Sequence, residues 1–135
     1  MDSDAQTCEI DIRVRYVEVD RMGVLHHSRY WVYFEMGRTE LLRRQGIPYS
    51  RCEEMGVYFV VANCSARFLC PVSYDEVLAL TTRVAKTGRA RIDHTYELRR
   101  KSDGQLLATA ETTIASVTRE GRVIPIPDFI RLALN

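Results

Sequence analysis

The chain has 135 residues, a formal net charge of +1, and 46% hydrophobic against 27% charged residues. That length and make-up fit one soluble globular domain, residues 1–135. The near-neutral charge provides no global field to draw nucleic acid or an acidic membrane. No apolar run approaches the roughly 20 residues a membrane helix needs. Cys8, Cys52, Cys64 and Cys70 are scattered without a C-x-x-C spacing, which points to reduced thiols in a cytoplasm rather than a disulfide framework. Met1 to Thr7 is polar and acidic and lacks the apolar stretch of a signal peptide.

In chain order, Glu9–Val19 alternates Ile10, Ile12, Val14 and Tyr16 with charged residues, the period of a half-buried strand. Asp20 to His27 breaks that period around Gly23 and reads as a loop. Ser28 is the expected N-cap of a helix on which Tyr30, Phe34, Gly37 and Leu41 share a stripe. Val32 and Met36 widen its apolar cover, so the helix should be largely buried. Gly46 and Pro48 end it.

After a short connection, four β candidates follow: Val57–Phe68, Glu76–Thr87, Ala90–Lys101 and Gln105–Arg119. Pro71 to Asp75, Gly88 and the Asp103-Gly104 turn separate them. A tail from Gly121 carries two prolines and a short apolar end. Five strands and one apolar helix bury each other only if an antiparallel sheet curls around the helix, an α+β arrangement.

The chemistry concentrates in the loop. A helix start presents unpaired N–H groups and the positive end of the dipole, a place for an oxyanion. Asp20 opens that loop, and Gly23 lets the chain fold back, so a carboxylate and N–H donors can converge on one atom. Asp in such a loop also serves as a turn or cap residue, and spacing alone does not choose between the two.

The stretch Arg15-Tyr16-Val17-Glu18-Val19-Asp20-Arg21-Met22-Gly23-Val24-Leu25-His26-His27-Ser28-Arg29-Tyr30, followed by Tyr33-Phe34-Glu35 and Arg38-Thr39-Glu40, resembles the signature of the 4-hydroxybenzoyl-CoA thioesterase-like family. The bacterial Tol–Pal-associated acyl-CoA thioesterase branch is the most similar. Pro71-x-x-Tyr74-Asp75 and Ala108-Thr109-Ala110-Glu111 match too, so the likeness runs from about Ile10 to Leu134. The resemblance implies the hotdog fold, a five-stranded antiparallel sheet wrapped around one long central helix. It also implies an acyl-CoA thioesterase working as a homodimer or homotetramer, with sheets joined edge to edge and sites at the dimer interface. By the same carry-over, Asp20 is the catalytic carboxylate, as nucleophile or general base, and the His27 backbone N–H polarises the thioester carbonyl. Gly23 permits the loop, and Tyr30 belongs to the substrate site. The family's usual Asn before that Tyr is Arg29 here, which implies a difference in acyl fit.

Other residues are weighed beside these. Glu35 and Arg38 sit at i and i+3 and are expected to form an ion pair. Some distant hotdog enzymes use a helix carboxylate, and an enediyne-pathway thioesterase group uses a helix Arg, which makes each a reserve candidate. Arg83, Lys86, Arg89 and Arg91 gather around the Gly88 turn. Of these, Arg89 and Arg91 are the expected contacts for coenzyme A phosphates. Tyr58, Phe59 and Phe68 read as core or acyl-tunnel residues. No metal and no cofactor is expected, coenzyme A being part of the substrate. Acyl carrier protein is an alternative carrier, and a non-hydrolytic acyl-binding or scaffolding module an alternative function.

Overall fold

In the computed structural model, residues 6–134 are described; most of the polar Met1 to Thr7 stretch, namely residues 1–5, lies outside them, as does residue 135. Strand β1 (Thr7–Arg13) is followed by a 3-10 turn (Tyr16–Glu18) and the long helix α1 (His27–Arg44). A short helix α2 (Tyr49–Glu54) leads into β2 (Tyr58–Phe68), β3 (Val77–Thr87), β4 (Arg91–Arg100) and β5 (Leu106–Val117), and helix α3 (Asp128–Leu134) closes the chain. The strands form one antiparallel sheet in the order β1–β3–β4–β5–β2. Register shifts at Val61/Asn63, Val84/Lys86 and Leu98/Arg99 mark bulges. Such bulges bend and twist strands, which helps a sheet curve round a helix. This is the hotdog arrangement expected from the sequence.

Gly37 shows how closely helix and sheet approach. A Cβ there would lie 2.2 Å from Thr82 Oγ1 and 2.9 Å from a Leu80 methyl. Tyr30, Tyr33, Phe34, Leu78, Leu80, Tyr96 and Leu98 belong to one buried cluster under the first half of α1. Leu41, Leu42, Ile92, Ile114, Ile130 and Leu134 belong to a second under its end. The helix stops in a Schellman motif, with Gly46 at φ +83°, Gly46 N–H bonded to Arg43 O and Ile47 N–H to Leu42 O.

Several expectations are corrected. The first strand ends at Arg13 rather than Val19, because the 3-10 turn swings Tyr16 out to solvent and draws Glu18 inward. The N-cap is His26, not Ser28. His26 Nδ1 accepts the Ser28 N–H at 3.2 Å, so a ring nitrogen does the work expected of a hydroxyl. Val32 and Met36 stay exposed, leaving an open outer stripe on α1. Helices α2 and α3 stand where the sequence suggests only a connection and an apolar tail. Six or seven residues are too few for a 3.6-residue period to declare itself, although Ile130 and Leu134 make a buried i, i+4 pair.

Candidate active site

The loop between the 3-10 turn and α1 is a small hydrogen-bonded hairpin. Val19 bridges Leu25, the Asp20 N–H bonds Val24 O at 2.9 Å, and the Gly23 N–H returns to Asp20 O at 2.9 Å. Gly23 takes φ +80°, a conformation that side-chain-bearing residues adopt only with strain. The hairpin is tied to the sheet through Leu25 N–H to Val72 O (2.7 Å) and a Val24–Ser73 bridge.

Asp20 is exposed, and one of its oxygens is occupied: Oδ1 accepts the N–H groups of Met22 (2.8 Å) and Val24 (3.3 Å). The turn role weighed from the sequence is therefore real. Oδ2 has no protein partner among the described residues and is free to act on another molecule. Asp20 lines an open cleft of about 740 Å³ together with Tyr16, Val19, Arg21, Gly23 and Tyr74. The exposed rings of Tyr16 and Tyr74 meet edge to face there, with centroids 5.6 Å apart.

His27 is the first residue of α1, and its N–H has no hydrogen-bond partner among the described residues. The next N–H, of Ser28, is already taken by the His26 ring. The helix dipole adds positive potential at this point. Asp20 and His27 thus stand at the two ends of one hairpin, a free carboxylate oxygen on one and a free helical N–H on the other.

The remaining candidates are distributed more widely. Tyr30 is buried against Phe68, ring centroids 4.6 Å apart, and does not line the Asp20 cleft. Arg89 and Arg91 flank the β3–β4 turn, whereas the Asp20 hairpin borders residues 72–76, just before β3 begins. An 11-residue strand separates these ends, about 35 Å at about 3.3 Å per residue. Within the chain the two arginines do not meet Asp20.

The expected Glu35–Arg38 ion pair is absent among the described residues. Glu35 faces solvent beside Met36 and Thr39. One position in the helical turn separates faces, and Arg38 points inward, where it donates to Tyr96 Oη at 3.3 Å. Tyr96 Oη also lies 2.6 Å from Thr112 Oγ1. His94 and Tyr49 line the same interior with Arg38. Burial first, and then the Arg38 charge, drop His94 to about 3, and burial pushes the Tyr49 hydroxyl up to about 12.

Sequence reasoning missed Glu18. It is 2% exposed, accepting the Tyr33 hydroxyl at 2.6 Å and the Arg15 N–H at 2.9 Å on Oε1, and the Arg15 guanidinium at 3.0 Å on Oε2. The available signal was its even position after Ile10, Ile12 and Val14, where an acid is out of place.

Residues 14–134 match the family model described as the Thioesterase-like superfamily, and the chain belongs to that family. It is 30% identical over 127 residues to the acyl-CoA thioesterase YbgC of Haemophilus influenzae, covering 92% of this chain and 91% of that one. A crystal structure of a hypothetical protein from Thermus thermophilus superposes with a TM-score of 0.88 at 38% identity, covering 95% of each chain. The 4-hydroxybenzoyl CoA thioesterase from Pseudomonas shares the fold, with a TM-score of 0.86 at 20% identity, covering 95% of this chain and 99% of that one. The resemblance read from the loop and helix signature is borne out by these relatives.

Proposed function

We propose that this chain hydrolyses the thioester of an acyl-coenzyme A to the free acid and coenzyme A, with Asp20 and the His27 N–H as its reacting groups. Family membership sets the reaction class, and the name of the Haemophilus relative supports acyl-CoA as the carrier. The observation that carries the assignment of residues is the pairing of a free Asp20 Oδ2 with a free His27 N–H on one hairpin.

In this reading the thioester oxygen takes the His27 N–H, and negative charge developing there is held by a preorganised donor and the helix dipole. Asp20 Oδ2 either removes a proton from the attacking water or attacks the carbonyl carbon itself. In the first route the C–S bond breaks, the proton returns to the thiolate, and acid and thiol leave. In the second, the C–S bond breaks as the acyl–aspartyl anhydride forms and coenzyme A thiolate is expelled; water then hydrolyses the anhydride, restoring the Asp20 carboxylate, releasing the acid and supplying the proton the thiolate takes up. Gly23 supplies the turn that aims Asp20.

A second copy of the chain completes the proposal. Strand β2 is an 11-residue edge strand, exposed along nearly its whole length, with Val60 and Val61 about half uncovered. An edge of that length with free N–H and C=O groups invites pairing with its own kind. Arg89 and Arg91 enter substrate binding only from another protomer, where they would meet coenzyme A phosphates.

Thiol release over short, long and aromatic acyl-CoAs, with acyl carrier protein thioesters alongside, tests the reading. Asp20→Asn should lower kcat by about 1,000-fold. An unchanged rate would dismiss Asp20 as the reacting group. Saturable acyl-CoA binding without thiol release from the wild type would instead favour a binding module.

A further inference from the structure

We infer that Glu18 and Tyr33 form a positioning device that sets Asp20 relative to the His27 N–H; the inference rests on the reading of those two groups given above. Glu18 lies two residues before Asp20 and is tied by five hydrogen bonds. Its carboxylate takes the Tyr33 hydroxyl, the Arg15 N–H and the Arg15 guanidinium. Its carbonyl accepts the His26 N–H at 3.0 Å, and its own N–H bonds Arg15 O at 3.0 Å.

The partners of this one residue explain its role. His26 immediately precedes the oxyanion donor, and Tyr33 is anchored in the core on the second turn of the same helix, 1% exposed. Glu18 therefore joins the outgoing side of the hairpin to both the cap and the body of α1. A buried acid needed only for the core would find its partners anywhere; these flank the reacting pair. Asp20, Arg21, Met22, His26 and His27 are all exposed, and of the hairpin only Leu25, buried in the first core cluster, and Val19, packed against it, give it side-chain anchorage. Main-chain bonds at Val72 and Ser73 hold the Leu25 side of the hairpin, and none of these bonds reaches α1 as the Glu18–Tyr33 bond does.

The bonds suit the task. Hydrogen bonds to an ionised carboxylate are short and strong, and the dry surroundings stiffen them. Burial pulls the Glu18 carboxyl upward, but the Tyr33 and Arg15 bonds outweigh it and hold the group below its ordinary range. Burial and the Glu18 charge raise Tyr33, so it stays protonated as the donor. Loss of the Tyr33 hydroxyl frees α1 to shift against the hairpin, and a misplacement near 1 Å can cost about 100-fold in rate.

The test compares Tyr33→Phe, Glu18→Gln, Glu18→Ala, the Tyr33→Phe/Glu18→Ala pair, Asp20→Asn, and Ile130→Val in the second core cluster as a stability control. Rates are taken at a temperature where circular dichroism shows every variant folded. Tyr33→Phe should lower kcat by about 10- to 100-fold with KM within about twofold, because geometry and not ground-state binding is lost. Glu18→Gln keeps an acceptor for Tyr33 and should retain more kcat than Glu18→Ala. The pair should be no worse than Glu18→Ala alone, since both act through one link. Amide resonances of Asp20, Met22, Val24 and His27 should move in Tyr33→Phe, while those of β4 and β5 stay in place. Wild-type kcat in Tyr33→Phe beside an inactive Asp20→Asn overturns the inference and leaves the Asp20 reading intact. Equal kcat loss in Ile130→Val also overturns it. Wild-type kcat in Asp20→Asn removes the Asp20 reading itself, and the positioning role falls with it.

Discussion

Glu18 and Arg38 are both withdrawn from solvent beneath α1, yet their surroundings differ. Glu18 meets a guanidinium, a hydroxyl and a main-chain N–H, so each oxygen has a donor. Arg38 meets hydroxyls and has no carboxylate among the described residues; its neighbour His94 stays neutral instead. The acid ties an exposed loop to the core, where each lost bond would loosen the site. The base lies deep among Leu41, Leu42 and Ile114, where packing already fixes the backbone and the neighbours adapt to the charge.

The widest effect to break this comparison is the pH response of the Arg38 region. His94 falls from its ordinary 6.5 to about 3 in the fold. Between those values the unfolded chain takes up a proton that the folded chain refuses. The stability is fully present above pH 6.5 and drains as pH falls toward 3. The total is on the order of 5 kcal/mol at 1.36 kcal/mol per unit. Urea titrations at pH 7, 6, 5 and 4 should show this slope in wild type and a flatter one in His94→Phe. Identical slopes would mean His94 titrates normally.

Glu18→Ala comes next. It strands the Tyr33 hydroxyl and the Arg15 N–H and should cost about 3 kcal/mol at pH 7. Because its folded value is lowered, the Glu18 contribution is present above its ordinary 4.5 and drains as pH falls below that. The Glu18→Ala deficit, read from urea midpoints, should therefore narrow only below pH 4.5, where the His94 loss is already well under way.

Arg38→Met is the smallest. Removing a buried charge that lacks an opposite charge should change stability by less than about 1 kcal/mol. It should also make the His94 acid slope shallower, since the Arg38 charge helps lower His94. A loss as large as that of Glu18→Ala would erase the contrast between the two sites.

Much of this was legible in the sequence because it rests on local rules. Runs of Val, Ile, Thr, Tyr and Phe between turn residues placed the four later strands to within a residue or two, and Gly46 with Pro48 marked the end of α1. The Asp20–Gly23 turn was legible because few residues take φ +80°. Helix caps were less so: His26 replaced Ser28 because any acceptor at the right reach can bond the first N–H groups. The Glu35–Arg38 pair failed because adjacent spacing allows a contact but cannot say which residue faces the core.

The sequence by itself determined the long helix, the four later strands and the loop that carries Asp20 and His27, from patterns read within about 10 residues of chain. The hotdog class came from the resemblance of that loop and helix to a known family. Tertiary structure alone decided that Glu18 is bonded across to Tyr33, that Arg38 lies against Tyr96 from β4, and that Arg89 and Arg91 stand at the far end of the sheet from Asp20. These partners are 15 or more residues apart in sequence, and only the strand order and the direction in which α1 crosses the sheet bring them together or separate them.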